Sequence, residues 1–148
     1  MHTASDVAKW FLAHNRSVMD DGDSEYISNL KIQKLLYYAQ GTFLAINDRP
    51  LFKDDIVAWK HGPVVESVYR EYAYNGSNGI VFDEDFDFNS FAKEENELLT
   101  QVYDVFGQYS AWKLRNMTHE ETPWIETQQS CVIAKDAITD YFKRVYVE

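Results

Sequence analysis

The fold depends most on residues 28–50, which read SNLKIQKLLYYAQGTFLAINDRP. Apolar side chains fill so much of residues 30–46 that only a narrow polar strip remains, which carries Lys31, Lys34 and Gln40. Ser28 or Asn29 can cap the start of a helix here, and Pro50 cannot continue it. Because so broad an apolar surface must be covered on nearly every side, we predict that this is the central, most buried helix.

Helical periodicity continues on both sides of this central segment. Apolar side chains recur at separations of three, four and seven residues, the spacing that places them on one face of a helix. Together with capping residues, this spacing predicts helices at residues 5–14, 64–74, 91–109, 110–117 and 138–145, and a short helix capped by Thr122. The chain is therefore predicted to be mainly α-helical.

Two regions, residues 51–59 and 80–88, lack helical spacing and suit extended chain. For the second region, a small hairpin and an ordered loop both fit. After the first of them, the sequence Lys60-His61-Gly62-Pro63 indicates a tight turn, in which Pro63 can occupy the first turn of the next helix. The acidic stretch at residues 20–25 contains a glycine, so it indicates an exposed loop.

The composition favours one folded domain that spans residues 1–148. Hydrophobic residues make up 45% of the chain and aromatic residues 16%, which is too rich for a disordered protein. A chain of this length also has room for a sizeable core. We therefore predict a mainly α, single compact helical domain with a minor β-hairpin or short extended segments.

The charge balance is acidic, with 14 Lys and Arg against 24 Asp and Glu and a net charge of -10. Because nucleic-acid phosphates are bound mainly by Lys and Arg, we expect no direct nucleic-acid binding. Most acidic surfaces are simply solvated, although an acidic surface also suits a basic protein partner. The sequence leaves both interpretations open.

The single cysteine and the hydropathy pattern indicate the compartment. Cys131 has no second cysteine with which to pair, and its neighbours Val132 and Ile133 suggest a buried structural thiol. No N-terminal signal segment and no apolar run of about 18 residues occurs. We therefore expect a soluble, cytoplasmic protein that does not enter a membrane.

His61 and His119 are the residues most suited to catalysis, since Glu120 and Glu121 follow His119 directly. Neither histidine has the His-x-x-x-His or paired-cysteine spacing that zinc sites use, and the chain lacks nucleotide-binding loops. We expect no metal and no cofactor. A structural role is the simpler alternative: His61 would bond a backbone carbonyl within its turn, and His119 would sit at a helix end.

Three runs of sequence together resemble the Panacea antitoxin domain family, which includes SocA-type antitoxins and phage-associated proteins. They are LKIQKLLYYAQ at residues 30–40, AWKHGPVV at 58–65 with Tyr69 after it, and THEETPW at 118–124 with Leu114 before it. The closing Ile138, Tyr141 and Phe142 extend the similarity to about residues 5–145. Each run is short, but their order and spacing are specific.

The resemblance implies a helical domain that neutralises a cognate toxin encoded nearby by direct contact, in a phage or prophage setting. Some members resemble adaptors that deliver the toxin to a protease. The candidate partner-binding surface is Lys60, His61, Gly62, Pro63, His119, Glu120 and Trp124. Two alternatives remain open: a hydrolytic enzyme that uses His61 and His119, and a phage structural or adaptor protein.

Overall fold

The computed structural model describes residues 1–19 and 25–147, which form seven α-helices and one small antiparallel sheet. The helices are α1 (Ala4–Met19), α2 (Asn29–Asn47), α3 (Glu66–Tyr72), α4 (Lys93–Phe106), α5 (Ala111–Thr118), α6 (Thr122–Ile125) and α7 (Lys135–Val145). The strands are β1 (Val57–Trp59) and β2 (Gly62–Val64), and 3-10 turns lie at Ala73–Asn75 and Phe88–Ser90. The predicted mainly α fold with a minor hairpin is confirmed.

Helix α2 is the centre of the fold, as predicted. It contacts α1, α3, α4, α5, α7 and β2, and nearly all of its side chains from position 32 to 45 are buried. The Ser28 hydroxyl caps its start by accepting from the Lys31 amide at 3.2 Å, and Asp48 ends it in the left-handed conformation at φ 55°. At Gly41, any side chain would collide with the Phe142 ring, so this glycine lets α7 approach closely.

Two buried glutamines of α2, Gln33 and Gln40, hold the loops that cross the helix. The Gln33 side-chain carbonyl accepts from the Val65 amide at 2.9 Å. The Gln40 side chain accepts from the Leu51 amide and donates to the Phe52 carbonyl, both at 2.8 Å. These bonds satisfy backbone groups that burial would otherwise leave without partners.

The hairpin differs from the sequence prediction in its second strand. Gly62 and Pro63 belong to β2 and pair with β1, and α3 begins only at Glu66. The cause is non-local, because residues 62–64 pair with β1 and the Lys34 side chain of α2 binds the Pro63 carbonyl, which a helix beginning there would use as its first acceptor.

Residues 80–87 form a loop rather than a hairpin, which are the two alternatives that the sequence left open, and Ile80 and Phe82 are buried. One further prediction was wrong. The cap of α6 is Glu121 rather than Thr122, with the proline in the first turn as predicted. The loop predicted at residues 20–25 lies outside the described residues, apart from the exposed Glu25.

None of the helices in the described part of the chain combines the length and apolar character that crossing a bilayer requires.

Cys131 lies on the surface, which corrects the buried thiol expected from its apolar neighbours. Its backbone runs beside β1: the Cys131 carbonyl accepts from the Ala58 amide at 3.0 Å, and the Ile133 amide donates to Ile56 at 2.8 Å. Ile133 enters the core, and its neighbour Val132 faces the opposite side of this extended segment and is exposed. Cys131 lies at the bend where the segment begins, so the alternation does not carry it into the core.

This exposure predicts that the thiol of Cys131 reacts in the folded protein. With a colorimetric disulfide reagent and no denaturant, we expect one thiol per chain to be titrated at a rate within a few-fold of the rate in urea. A thiol that reacts only after unfolding would contradict the exposed position.

Candidate partner-binding site

The structure brings the two predicted motif segments, residues 60–63 and residues 118–124, side by side. The Trp124 indole donates to the Trp59 carbonyl at 2.8 Å, just before the turn. A Cβ atom added to Gly62 would lie 2.7 Å from the Thr118 hydroxyl. Arg115, in α5, donates from Nε to His61 Nδ1 at 3.4 Å. The hairpin turn and the end of α5 therefore form one region.

The members of the predicted surface differ in exposure. Lys60, His61 and Glu120 are exposed and can touch a partner directly. Gly62 and Pro63 are buried. His119 and Trp124 are partly buried, with their rings stacked 4.0 Å apart and nearly parallel. The buried and stacked members thus shape the region that displays the exposed ones.

Lys34 lies beneath the turn as a fully buried cation. Its ammonium donates to the Pro63 carbonyl at 3.0 Å. Burial, and to a smaller extent the nearby Arg115 charge, together lower the pKa of Lys34 to about 7. Gly62, at φ 108°, passes so close that a Cβ atom would lie 2.7 Å from Lys34 Cε. The backbone angle and this contact both require glycine at position 62.

The two histidines are close enough to influence each other. Burial lowers the pKa of His119, and the charges of Arg115, Lys34 and His61 lower it as well, while the Lys60 backbone opposes them. His119 Nε2 is enclosed and makes no hydrogen bond within the described residues. The ring of His61 is exposed, and its Nδ1 accepts from the Arg115 guanidinium. This contact differs from the bond to a backbone carbonyl that we expected for His61.

Glu121, a buried carboxylate in the third motif run, is hydrogen-bonded to two tyrosines of the first run. Its two oxygens accept from the hydroxyls of Tyr37 at 2.8 Å, Tyr38 at 2.9 Å and Tyr146 at 2.6 Å. Burial raises the pKa of Glu121, and the three hydroxyls, beginning with that of Tyr146, oppose the rise. Burial and the Glu121 charge in turn raise the pKa values of the tyrosines. This cluster joins α2, α6 and the end of α7.

An open groove of about 710 Å³ begins at the exposed side of the turn. Its walls come from the start of α2, the hairpin, α3, the start of α5 and residues 129–130. Its largest side chains are Leu30, Trp59, Tyr69 and Trp112, and Lys60 and His61 stand at one rim.

The sequence prediction included Lys60 and His61 at the groove and missed Trp112, whose ring lies 5.9 Å from that of His61. Trp112 occupies a helix position whose periodic neighbours are not apolar, and its indole is 54% exposed. An aromatic residue on the polar face of a short helix was the available signal. Nothing in the order of the sequence could place Trp112 and Tyr69 in one groove, because that depends on how α3 and α5 pack around α2.

Within the described residues, no group of three or more His, Cys, Asp or Glu side chains is placed to hold a metal ion. No carboxylate is hydrogen-bonded to the ring of His61 or His119 in the same part of the chain.

Comparison with known proteins identifies the family. Residues 32–125 match the family described as antitoxin SocA-like, Panacea domain. Antitoxin SocA of Caulobacter vibrioides (strain NA1000 / CB15N) is 51% identical over 55 residues, which are 37% of this chain and 29% of that protein. The similarity thus spans less than a third of the relative's length, and no solved structure matches the chain significantly. Because the family match covers more than half of its residues, the chain belongs to the SocA-like antitoxin family with a Panacea domain.

Proposed function

We propose that this protein neutralises a cognate protein toxin by direct contact, and that the toxin is encoded beside it in a phage or prophage setting. The observation that carries the proposal is the open groove at the junction of the motif segments, in a chain of the SocA-like antitoxin family. An exposed tryptophan and tyrosine beside basic side chains are typical of surfaces that bind other proteins. Residues 1–148 would act as one domain in the cytoplasm.

Binding explains the geometry of the two histidines better than hydrolysis does. A general base must reach the proton that it removes, and its ring is usually oriented by a third group. His119 Nε2 is enclosed by protein, and the ring of His61 accepts from a cationic guanidinium. We therefore propose a non-enzymatic role, in which Lys60, His61 and Glu120 contact the toxin while Gly62, Pro63, His119 and Trp124 shape the surface.

The test is co-expression with the product of the neighbouring gene. We expect growth to be rescued only when the antitoxin is at least equimolar to the toxin, and the two proteins to co-purify as a stable complex. The net charge of -10 should speed encounter with a basic toxin, so added salt should slow association more than it speeds dissociation. Rescue far below equimolar amounts without a detectable complex would contradict neutralisation by contact.

Replacing His61 and His119 together by Ala separates binding from catalysis. A binding protein should lose affinity for the toxin in proportion to any loss of rescue, because both depend on the same surface. An enzyme would keep its affinity while losing rescue. Thermal unfolding of the double variant controls for damage to the His119–Trp124 stack. Loss of a protease that leaves rescue intact would exclude an adaptor role, since an adaptor acts only through degradation.

A further inference from the structure

We propose that the groove receives an extended segment of the protein partner that carries an apolar side chain next to a carboxylate. The apolar side chain packs between Trp112 and Tyr69, and the carboxylate binds Lys60 and Arg115. This inference rests on the proposed function, and it names the chemistry of the contact that the function requires.

The apolar part of the argument comes from the groove's aromatic walls. The side chains of Trp112 and Tyr69 are 54% and 37% exposed, although aromatic residues of this size favour burial. Both are already held in place: Tyr69 packs edge-on to Trp59 with ring centroids 4.9 Å apart, and the Arg115 guanidinium lies 4.4 Å from the Trp112 ring. Preformed aromatic walls lose little entropy on binding, and such residues dominate binding energy at interfaces.

The carboxylate part of the argument comes from charge. None of the described residues that line the groove is Asp or Glu, in a chain that has 24 of them. Within residues 1–19 and 25–147, neither Lys60 nor Arg115 forms an ion pair, whereas Lys135 and Lys143 each pair with an aspartate. Lys60 lines the groove, and Arg115 lies beside it in contact with His61 and Trp112. This part of the groove is thus locally basic on an acidic protein, and a carboxylate from the partner would complement it.

A polypeptide segment fits these features better than nucleic acid does. Single-stranded nucleic acid is held by a basic channel that follows several phosphates, with aromatic rings stacking on the bases. Here the basic residues stand at one rim only, and the remaining lining is apolar or uncharged. A volume of about 710 Å³ also lies within the roughly 300–1,000 Å³ of pockets that enclose small ligands, so it suits a few side chains.

The experiment measures affinity for the co-purified partner in two groove variants and two matched controls. Lys60→Glu is compared with Lys53→Glu, because both lysines are exposed and Lys53 lies outside the groove. Trp112→Ala is compared with Ile46→Ala, whose side chain is 53% exposed at the far end of α2. We expect Kd to rise about 10-fold for Lys60→Glu and about 30-fold for Trp112→Ala, and to change less than about twofold in the controls.

A second measurement identifies the partner's segment. Hydrogen exchange of the complex should protect a partner peptide that contains Asp or Glu beside an apolar residue, and replacing that acid by Lys should restore binding to Lys60→Glu. The proposal is overturned if folded groove variants bind as wild type does, if the protected peptide has no carboxylate, or if a labelled single-stranded RNA competes for the groove. If wild type forms no complex at all, the proposed function is contradicted together with this inference. If wild type forms the complex and the groove variants bind equally well, only this inference is contradicted.

Discussion

Replacement of Lys34 by methionine is expected to raise the free energy of unfolding by about 3 kcal/mol at pH 7. The ammonium of Lys34 is fully buried, and the hydrogen bond that holds it goes to the Pro63 carbonyl. Its pKa falls from 10.5 to about 7, which corresponds to about 5 kcal/mol against the charged form in the folded state. Methionine fills a similar volume without charge and loses one hydrogen bond worth about 1 kcal/mol.

The lowered pKa of Lys34 determines how the stability of wild type changes with pH. Because the pKa of Lys34 is lowered by folding, the unfolded chain binds more protons than the folded one between about pH 7 and pH 10.5. The stability of wild type should therefore rise with pH across this window, and the advantage of Lys34→Met should shrink to about 1 kcal/mol at pH 9.

Urea unfolding at pH 7, 8 and 9 measures this effect, with Lys113→Met as the control. Lys113 is exposed, so its replacement should change the free energy of unfolding by less than about 0.5 kcal/mol. A Lys34→Met variant that is less stable than wild type at pH 7 would show that the ammonium is stabilised where it lies, and that the turn depends on its charge.

The helices could be predicted because their signals are local. The apolar surface of residues 30–46 implied a central helix, and α2 is buried along almost its whole length. The second strand could not be predicted in the same way. Gly62-Pro63 is also a common start for a helix, but here residues 62–64 pair with β1, and the Pro63 carbonyl accepts from Lys34, which lies 29 residues away in the chain.

At the candidate site, too, residues in short motif runs could be predicted, whereas contacts between distant parts of the chain could not. Lys60, His61 and Glu120 could be found in short motif runs, and the structure places these runs side by side. The groove could not be found, because its walls come from five separate parts of the chain. Glu121 was visible as a member of a motif run, but its partners Tyr37, Tyr38 and Tyr146 belong to other helices or lie just beyond one.

Glu121→Ala is expected to lower the free energy of unfolding by about 3–5 kcal/mol. The carboxylate is 3% exposed, and Tyr37 and Tyr38 have no access to solvent, so truncation leaves two buried hydroxyls without their acceptor. Each unsatisfied buried group costs about 1–3 kcal/mol, and the cavity left by the side chain adds to the loss. Tyr146 is 39% exposed and can bond water instead.

Glu121→Gln is the matched control, because it keeps the shape and one acceptor oxygen while removing the charge. Burial raises the pKa of Glu121, so the folded state binds the proton more tightly than the unfolded state, whose pKa is near 4.5. The stabilisation from the protonated carboxyl is complete below pH 4.5 and is lost as pH rises through the raised pKa. Wild type should therefore lose stability relative to Glu121→Gln across that window, whereas Glu121→Ala should remain well below Glu121→Gln at every pH.

Urea unfolding of the three proteins between pH 4 and pH 8 distinguishes the two roles of this side chain. A gap between Glu121→Ala and Glu121→Gln measures the acceptor, which both Glu and Gln supply to the tyrosine hydroxyls. A pH-dependent gap between wild type and Glu121→Gln measures the charge, which only Glu carries. Equal stability of the Ala and Gln variants would mean that the hydroxyls find other acceptors, and that α2, α6 and α7 are joined by packing around Phe142 rather than by this carboxylate.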